Sequence, residues 1–279
     1  VPHEEAVDLL TFIDPVAVQI GPLSIRWYGI IIVTAIMIAI WLATRLAQQR
    51  GLDVNFVPDL AMVVVPAGIL GARLYEVFIL QWPYYREHPG EILAIWKGGL
   101  AIHGAVLGGL LAGAIFICIR RQSFWRWADV GGAVLPLAQA IGRWGNFFNQ
   151  EAYGDPAPDW LIRLMPGWLR EGMTIGGTVM HPTFLYESVW NLLTFGALLL
   201  FWRRWKNPGV VFSLYFILYN TGRFMIEGIR QDSTFIFGSI RVAQLTAALL
   251  ILAGFGMLVY CLQHHRPPDE EHTAGHPEP

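Results

Sequence analysis

Two short runs in this chain hold residues suited to gripping an anion. The first is Gly142-Arg143-Trp144-Gly145-Asn146-Phe147-Phe148-Asn149-Gln150-Glu151-Ala152-Tyr153-Gly154. Arg143 and Asn146 are three apart and share a helix face, and the glycines allow close backbone approach. Glu151 follows where that helix should end. The second run is Gly222-Arg223-Phe224-Met225-Ile226-Glu227-Gly228-Ile229-Arg230. Arg223, Glu227 and Arg230, spaced four and three, line one face if the run is helical. A guanidinium offers a planar fork of donors that matches phosphate oxygens. Arginines from two different helices therefore suit one phosphate. His103 is a candidate proton acceptor near neutral pH. Tyr28 and Glu187 complete the set of polar side chains in otherwise apolar surroundings.

Plainer roles compete for the same residues. Arg223 and Glu227 also read as a buried ion pair. Asn146 also reads as an interhelical hydrogen bond, and His103 as a satisfied core histidine. Arg73 and Glu76 share a face and read as a local pair. Arg26 reads as a snorkelling headgroup contact. Gly104, Gly108, Gly109 and Gly113 read as a close-packing stripe.

The elements that must position these residues are apolar. The chain is 279 residues long, 54% hydrophobic and 14% charged, where a soluble domain carries roughly 25% charge. Stretches of about 17–25 apolar residues can cross a bilayer as helix. About seven such stretches occur. They run from Leu23 to Leu42, Val57 to Leu80, Leu100 to Ile119, Trp127 to Phe147, Thr183 to Trp202, Gly209 to Gly228 and Val242 to Leu262. The expected fold is all-α: a polytopic membrane helix bundle forming one catalytic domain over residues 1–262. A long outer loop covers about 148–182, and residues 263–279 form a polar, disordered cytoplasmic tail. The acidic start (His3, Glu4, Glu5, Asp8) argues against a cleaved signal peptide.

Basic residues set the orientation. Arg45 and Arg50, then Arg120, Arg121 and Arg126, then Arg203, Arg204 and Lys206, then Arg266 fall on alternate connections. That side is read as the cytoplasm, with the N-terminus outside and the C-terminus inside. On this topology Tyr28, Arg73, His103, Arg143, Asn146, Glu151, Glu187, Arg223 and Glu227 all fall toward the outer side. Intramembrane charges are costly, at roughly 2.5–3.5 kcal/mol each. Several at one level imply a shared, partly hydrated cavity. Cys118 and Cys261 have no CxxC or metal-ligand spacing, so neither a redox centre nor a zinc site is expected. No Ser-Lys pair, aspartate dyad or HExxH supports a protease. An anionic-solute transporter and a lipid-binding membrane protein remain open on the charges alone. The one-sided clustering and the lack of two related halves weigh against a transporter.

At these residues the chain resembles the prolipoprotein diacylglyceryl transferase family. The run from Gly142 to Gly154 is similar to the family's GRxGNFxNxExxG signature. Four segments agree in order and spacing. These are Ile20-Gly21-Pro22 with Trp27-Tyr28-Gly29; Gly98-Gly99 with His103-Gly104; His181-Pro182 with Leu185-Tyr186-Glu187; and Gly222-Arg223 with Glu227 and Arg230. The likeness spans about Asp14 to Leu262. Ala105 and the Thr183-Phe184 pair depart from it, and Phe184 is expected to alter a hydrogen bond or the substrate fit. The resemblance implies an enzyme of the bacterial cytoplasmic (inner) membrane with its site toward the outer leaflet. Its donor is phosphatidylglycerol, its acceptor the lipobox cysteine of a prolipoprotein signal peptide, and its product a thioether-linked diacylglyceryl group released with glycerol phosphate. No cofactor, metal or nucleic acid is implied. The implied catalytic residues are His103, Arg143 and Arg223. Tyr28, Asn146, Glu151, Gly154, Glu187, Glu227 and Arg230 are the implied remainder of the substrate site.

Overall fold

A computed structural model describes residues 13–21, 23–231, 235–236 and 240–265. The acidic N-terminal residues, Pro22 and the tail from Arg266 lie outside the described residues. The chain opens with a hairpin, β1 (Val16–Ile20) and β2 (Leu23–Arg26), paired antiparallel around Gly21 at φ 58°. Helices follow: α1 (Trp27–Gln49), α2 (Phe56–Tyr75), the short α3 (Trp82–Tyr85), α4 (Ile102–Ile119) and α5 (Phe124–Asn149). Then come α6 (Asp159–Leu164), α7 (Gly167–Gly172), the hairpin β3 (Thr174–Ile175) and β4 (Thr178–Val179), α8 (Thr183–Arg204) and α9 (Val210–Glu227). A third hairpin, β5 (Phe235–Ile236) and β6 (Ile240–Arg241), leads into α10 (Val242–His264).

Among the described residues, five helical stretches are long and apolar enough to cross a membrane: Trp27–Gln49, Phe56–Leu80, Ile102–Ile119, Thr183–Arg204 and Val242–His264. Their outer faces expose Met37, Met62, Leu107, Leu193, Leu200 and Leu252, each more than 60% accessible. Such a surface is at home in lipid rather than water. The protein is a mostly helical, multi-pass membrane protein. The other two expected spans are helical as well, but α5 carries Arg126, Asp129 and Arg143, and α9 carries Asn220, Arg223 and Glu227. The expected start of the first span needs correction. Leu23–Arg26 is strand, because Gly21 turns the chain and the Trp27 N–H bonds the Pro15 carbonyl at 3.0 Å. The second span ends in one π-helical turn, Glu76–Leu80.

The chain divides into two compact units. One holds the described residues up to Trp41 and from Asp129 onward; the other runs Leu42–Ala128. In the second unit α2 and α4 meet backbone to backbone. A Cβ on Gly104 would strike the Gly71 carbonyl oxygen and the Tyr75 Cβ, and one on Gly108 would lie 2.6 Å from the Ala67 carbonyl. This is the small-residue packing expected of the glycine stripe. Arg73 is buried, but its guanidinium does not pair with Glu76. It donates to the carbonyls of Glu91 (2.6 Å), Ile92 (2.9 Å), Gly98 (2.7 Å) and Gly99 (2.8 Å), and lies 5.0 Å from the Tyr85 ring centre. It thereby organises the segment of short 3-10 turns leading to His103.

In the first unit α9 packs against both α8 and α10. The fully buried Asp129 accepts from the N–H groups of Gly209 (3.0 Å) and Phe212 (2.9 Å), capping α9 from another helix. Ser188 donates to the Ala140 carbonyl at 2.9 Å and ties α8 to α5. Phe147, Met165, Leu169, Met173 and Phe184 form an apolar cluster beneath α6 and α7. The long loop expected over 148–182 is thus a small folded cap.

Candidate active site

α5 delivers Arg143 and Asn146 on one face, as the spacing predicts. Gly145 sits between them under the ring of Tyr28, which a Cβ there would approach to 2.5 Å. Tyr28 is therefore seated against the α5 backbone, within electrostatic reach of Arg143 and Glu151. After Asn149 the chain turns sharply. Gln150 (φ 49°) and Ala152 (φ 58°) are both left-handed, a conformation that non-glycine residues hold only where surroundings impose it. The Gln150 side chain donates to the Gly172 carbonyl (3.2 Å), and the Thr183 hydroxyl donates to the Ala152 carbonyl. The turn brings the Glu151 carboxylate back to accept from Asn146 Nδ2 at 2.9 Å and Asn149 Nδ2 at 3.4 Å.

Beyond the turn, Gly154 lies where three backbone segments cross. Its N–H donates to the His181 carbonyl at 3.1 Å, and the Asp155 N–H to the Ile229 carbonyl at 2.8 Å. A Cβ on Gly154 would stand 2.7 Å from the Ile229 oxygen and 2.8 Å from the His181 Cβ, so only glycine fits. Through this crossing, a bridge between Gly154 and Arg230, the sequence run after α5 fixes the residues following α9.

The charged residues of α5, α8 and α9 converge on Glu187. Its Oε1 accepts from Arg223 Nη1 at 3.0 Å and Arg230 Nη1 at 3.2 Å, while its Oε2 pairs with Arg143 Nε. Arg223 Nη2 also pairs with Glu227 Oε2 at 2.7 Å, and Arg230 Nε lies 3.9 Å from the same oxygen. Arg241 donates to the Glu227 carbonyl. Both carboxylates are buried, as is Arg230, whereas Arg143 and Arg223 keep 23% and 24% of their side-chain surface exposed. The ion-pair reading of Arg223 with Glu227 therefore holds, and it leaves the same arginine a free edge. Three guanidiniums against two carboxylates give 3 − 2 = +1 among these five side chains. That surplus, with two accessible forks at its edge, suits an anion. Arg143, Glu187, Trp190, Asn191, Tyr219 and Arg223 line a small open cleft at this place.

His103 belongs to the other unit. It is exposed in the first turn of α4, its ring centre 5.8 Å from that of Tyr75. Among the sequence-chosen residues, the first unit thus gathers Arg143, Glu187, Arg223, Glu227 and Arg230 in one ion-pair network. Asn146, Glu151 and Tyr28 stand along the end of α5, and Gly154 stands in the backbone crossing. Sequence reasoning passed over Trp190, Asn191 and Tyr219. Helical spacing held a signal for two of them, since Asn191 lies four residues from Glu187 and Tyr219 four from Arg223. It also left out the bond between His181 Nδ1 and the Tyr186 hydroxyl, 3.1 Å long, beside the same crossing.

A profile of the prolipoprotein diacylglyceryl transferase family matches residues 15–260. The chain belongs to this family. It is 71% identical over 269 residues to the phosphatidylglycerol–prolipoprotein diacylglyceryl transferase of Symbiobacterium thermophilum, covering 96% of this chain and all of that protein. The enzymes of the same name from Lysinibacillus sphaericus and Staphylococcus aureus are 45% and 43% identical, over 90% and 93% of this chain and 93% of each relative. The matched region contains both arginine runs, the cap over residues 159–172 and the glycine contact between α2 and α4. This transferase family membership therefore covers every element that builds the site.

Proposed function

We propose that the chain transfers the diacylglyceryl group of phosphatidylglycerol to the lipobox cysteine thiol of a prolipoprotein, the first step of lipoprotein maturation. Family membership supplies the reaction, and one observation of geometry carries its placement. Arg143 and Arg223 come from different helices, share the Glu187 carboxylate, and keep accessible edges at one cleft. In the reaction the cysteine sulfur bonds to the glycerol carbon as that carbon's bond to the phosphate oxygen breaks. The electron pair leaves with glycerol phosphate, and the thiol proton must be removed. A thiol with pKa near 8.5 is mostly protonated at neutral pH, so a base helps. Arg143 and Arg223 stabilise the departing phosphate through donors already oriented by Glu187, and His103 is the side chain proposed as the base. Asn146 and Glu151 orient the headgroup side of the site. Tyr28, Gly154, Glu227 and Arg230 hold the frame.

The enzyme sits in the bacterial inner membrane with seven spans, α5 and α9 included. Its N-terminus is outside, its C-terminus is cytoplasmic, and its site faces the outer leaflet. Both hydrophobic substrates enter sideways from lipid. Residues up to 262 act as one catalytic domain. The test is a reconstituted reaction of purified protein with phosphatidylglycerol and a lipobox peptide, following glycerol phosphate release and peptide mass. The expected result is gain of one diacylglyceryl mass that requires both Arg143 and the peptide thiol, with Arg143→Ala and a cysteine-to-serine peptide inactive. Folded protein that releases no glycerol phosphate in lipid would overturn the assignment.

A further inference from the structure

Three amide oxygens among the described residues are buried without a hydrogen-bond partner: those of Gln139, Asn149 and Asn191. The first two amides are anchored through nitrogen, Gln139 to the Tyr215 hydroxyl at 2.9 Å and Asn149 to Glu151. Asn191 differs in place. It is 2% exposed and lines the cleft with Arg143, Glu187 and Arg223. It also lies well inside α8, one of the membrane-crossing helices. A buried polar group left without a partner costs several kcal/mol. A buried acceptor in a ligand cleft is then best explained by the ligand that satisfies it.

The chemistry of the donor lipid identifies the matching group. The phosphate and the two acyl esters of phosphatidylglycerol only accept hydrogen bonds. Its only donors are the hydroxyls of the headgroup glycerol. We propose that Asn191 receives a headgroup hydroxyl of phosphatidylglycerol and so determines headgroup selectivity, an inference that rests on the transferase reading. The distances suit it. Asn191 lies four residues along α8 from Glu187, a rise of about 6 Å toward the proposed cytoplasmic end of the helix and comparable with the span of a glycerol ester from phosphorus to its outer hydroxyl, so the headgroup glycerol is turned inward into the helix bundle rather than out to the surface. With the phosphate on Arg143 and Arg223, the glycerol reaches the Asn191 amide. A hydroxyl is both donor and acceptor, so it pairs with either end of that amide. Sites built to bond a hydroxyl reject analogues lacking it, because the polar group is then left buried and unpaired.

The test pairs a variant with a substrate change. Asn191→Leu keeps the branching at Cγ, is somewhat bulkier, and removes the acceptor. The lipids are phosphatidylglycerol and phosphatidylpropanol, whose headgroup has no hydroxyl. Turnover and lipid affinity are both measured for each combination, with Asn191→Ala as a second variant. Wild type should prefer phosphatidylglycerol, and Asn191→Leu should shrink that preference roughly tenfold by losing phosphatidylglycerol turnover while phosphatidylpropanol turnover stays level. An equal fall for both lipids would assign Asn191 to structure or to the thiol substrate, and an unchanged preference in both variants would remove it from the site; either overturns the proposal. If wild type transfers nothing, the transferase reading fails on its own, and the ratio of lipid affinities still decides whether Asn191 reads the hydroxyl.

Discussion

Replacing Glu187 by glutamine tests the centre of the site with no change of size. The carboxylate uses both oxygens, Oε1 toward Arg223 and Arg230 and Oε2 toward Arg143. A glutamine has one carbonyl oxygen and one NH2. Turned one way, its NH2 faces Arg143; turned the other, it faces Arg223 and Arg230. At least one guanidinium therefore loses its acceptor and meets a donor. The local charge also rises from +1 to +2. Extra positive charge favours the phosphate: at about 6 Å and an effective dielectric near 20, the gain is about 2–3 kcal/mol. Against this stand up to three charge-assisted bonds of about 1.5–3 kcal/mol each, whose loss lets the arginines move. Binding to a diffuse positive site survives such movement, but alignment with the departing phosphate does not. A misplacement near 1 Å costs about 100-fold in rate. Glu187→Gln should thus keep phosphatidylglycerol affinity within a few-fold while kcat falls about 100-fold. Removing one partner of a buried pair should also lower stability, by about 3 kcal/mol. Glycerol phosphate release under saturating lipid reads kcat, and thermal unfolding in detergent reads stability. A variant that keeps half of wild-type kcat would refute the view that Glu187 aligns the two exposed arginines.

Other perturbations separate charge, packing and anchoring. Arg223→Lys keeps the charge but not the two-pronged contact with Glu187 and Glu227, and should lower kcat/KM roughly 10- to 100-fold in the same assay. Gly104→Leu should block the approach of α2 and α4 and abolish folded protein in size-exclusion profiles, whereas Gly131→Leu, where a Cβ meets nothing within 4 Å, should not prevent folding. Arg73→Leu frees the carbonyls of Glu91, Ile92, Gly98 and Gly99, so proteolysis between residues 86 and 101 should accelerate at least tenfold before any loss of the helices. Asp129→Ala removes the acceptor for two backbone N–H groups of α9 and should cost about 1–2 kcal/mol, read as a lower unfolding temperature.

Helical periodicity and apolar length were enough to find α2, α4, α5, α8, α9 and α10 within a few residues of their ends. In lipid a helix closes its own backbone hydrogen bonds, so local sequence and length decide it. The first span was misjudged at its start because nothing in the local sequence of Leu23–Arg26 excludes a helix, and only pairing with Val16–Ile20 makes it a strand. The cap over residues 148–182 was hidden for a related reason. Its short helices and hairpin are held by the Phe147, Met165 and Phe184 cluster rather than by propensity.

The candidate site residues divide along the same line. Arginine, glutamate and histidine are expensive in an apolar chain, so their mere presence in Arg143, Glu187, Arg223, Glu227, Arg230 and His103 marked them, and the GRxGNFxNxExxG run named the family. Residue types could not tell that Glu187 is the shared acceptor of three arginines, that Gly154 serves a backbone crossing, or that Arg73 anchors carbonyls instead of pairing with Glu76. Those facts depend on which side chains from distant parts of the chain come within about 3 Å of one another. The sequence by itself determined the membrane-helical class, the chemistry available and the family. The tertiary structure decided that Glu187 is shared by arginines from other parts of the chain and which two arginines keep a face open, because those contacts run between helices, whereas the Arg223–Glu227 pair runs along one.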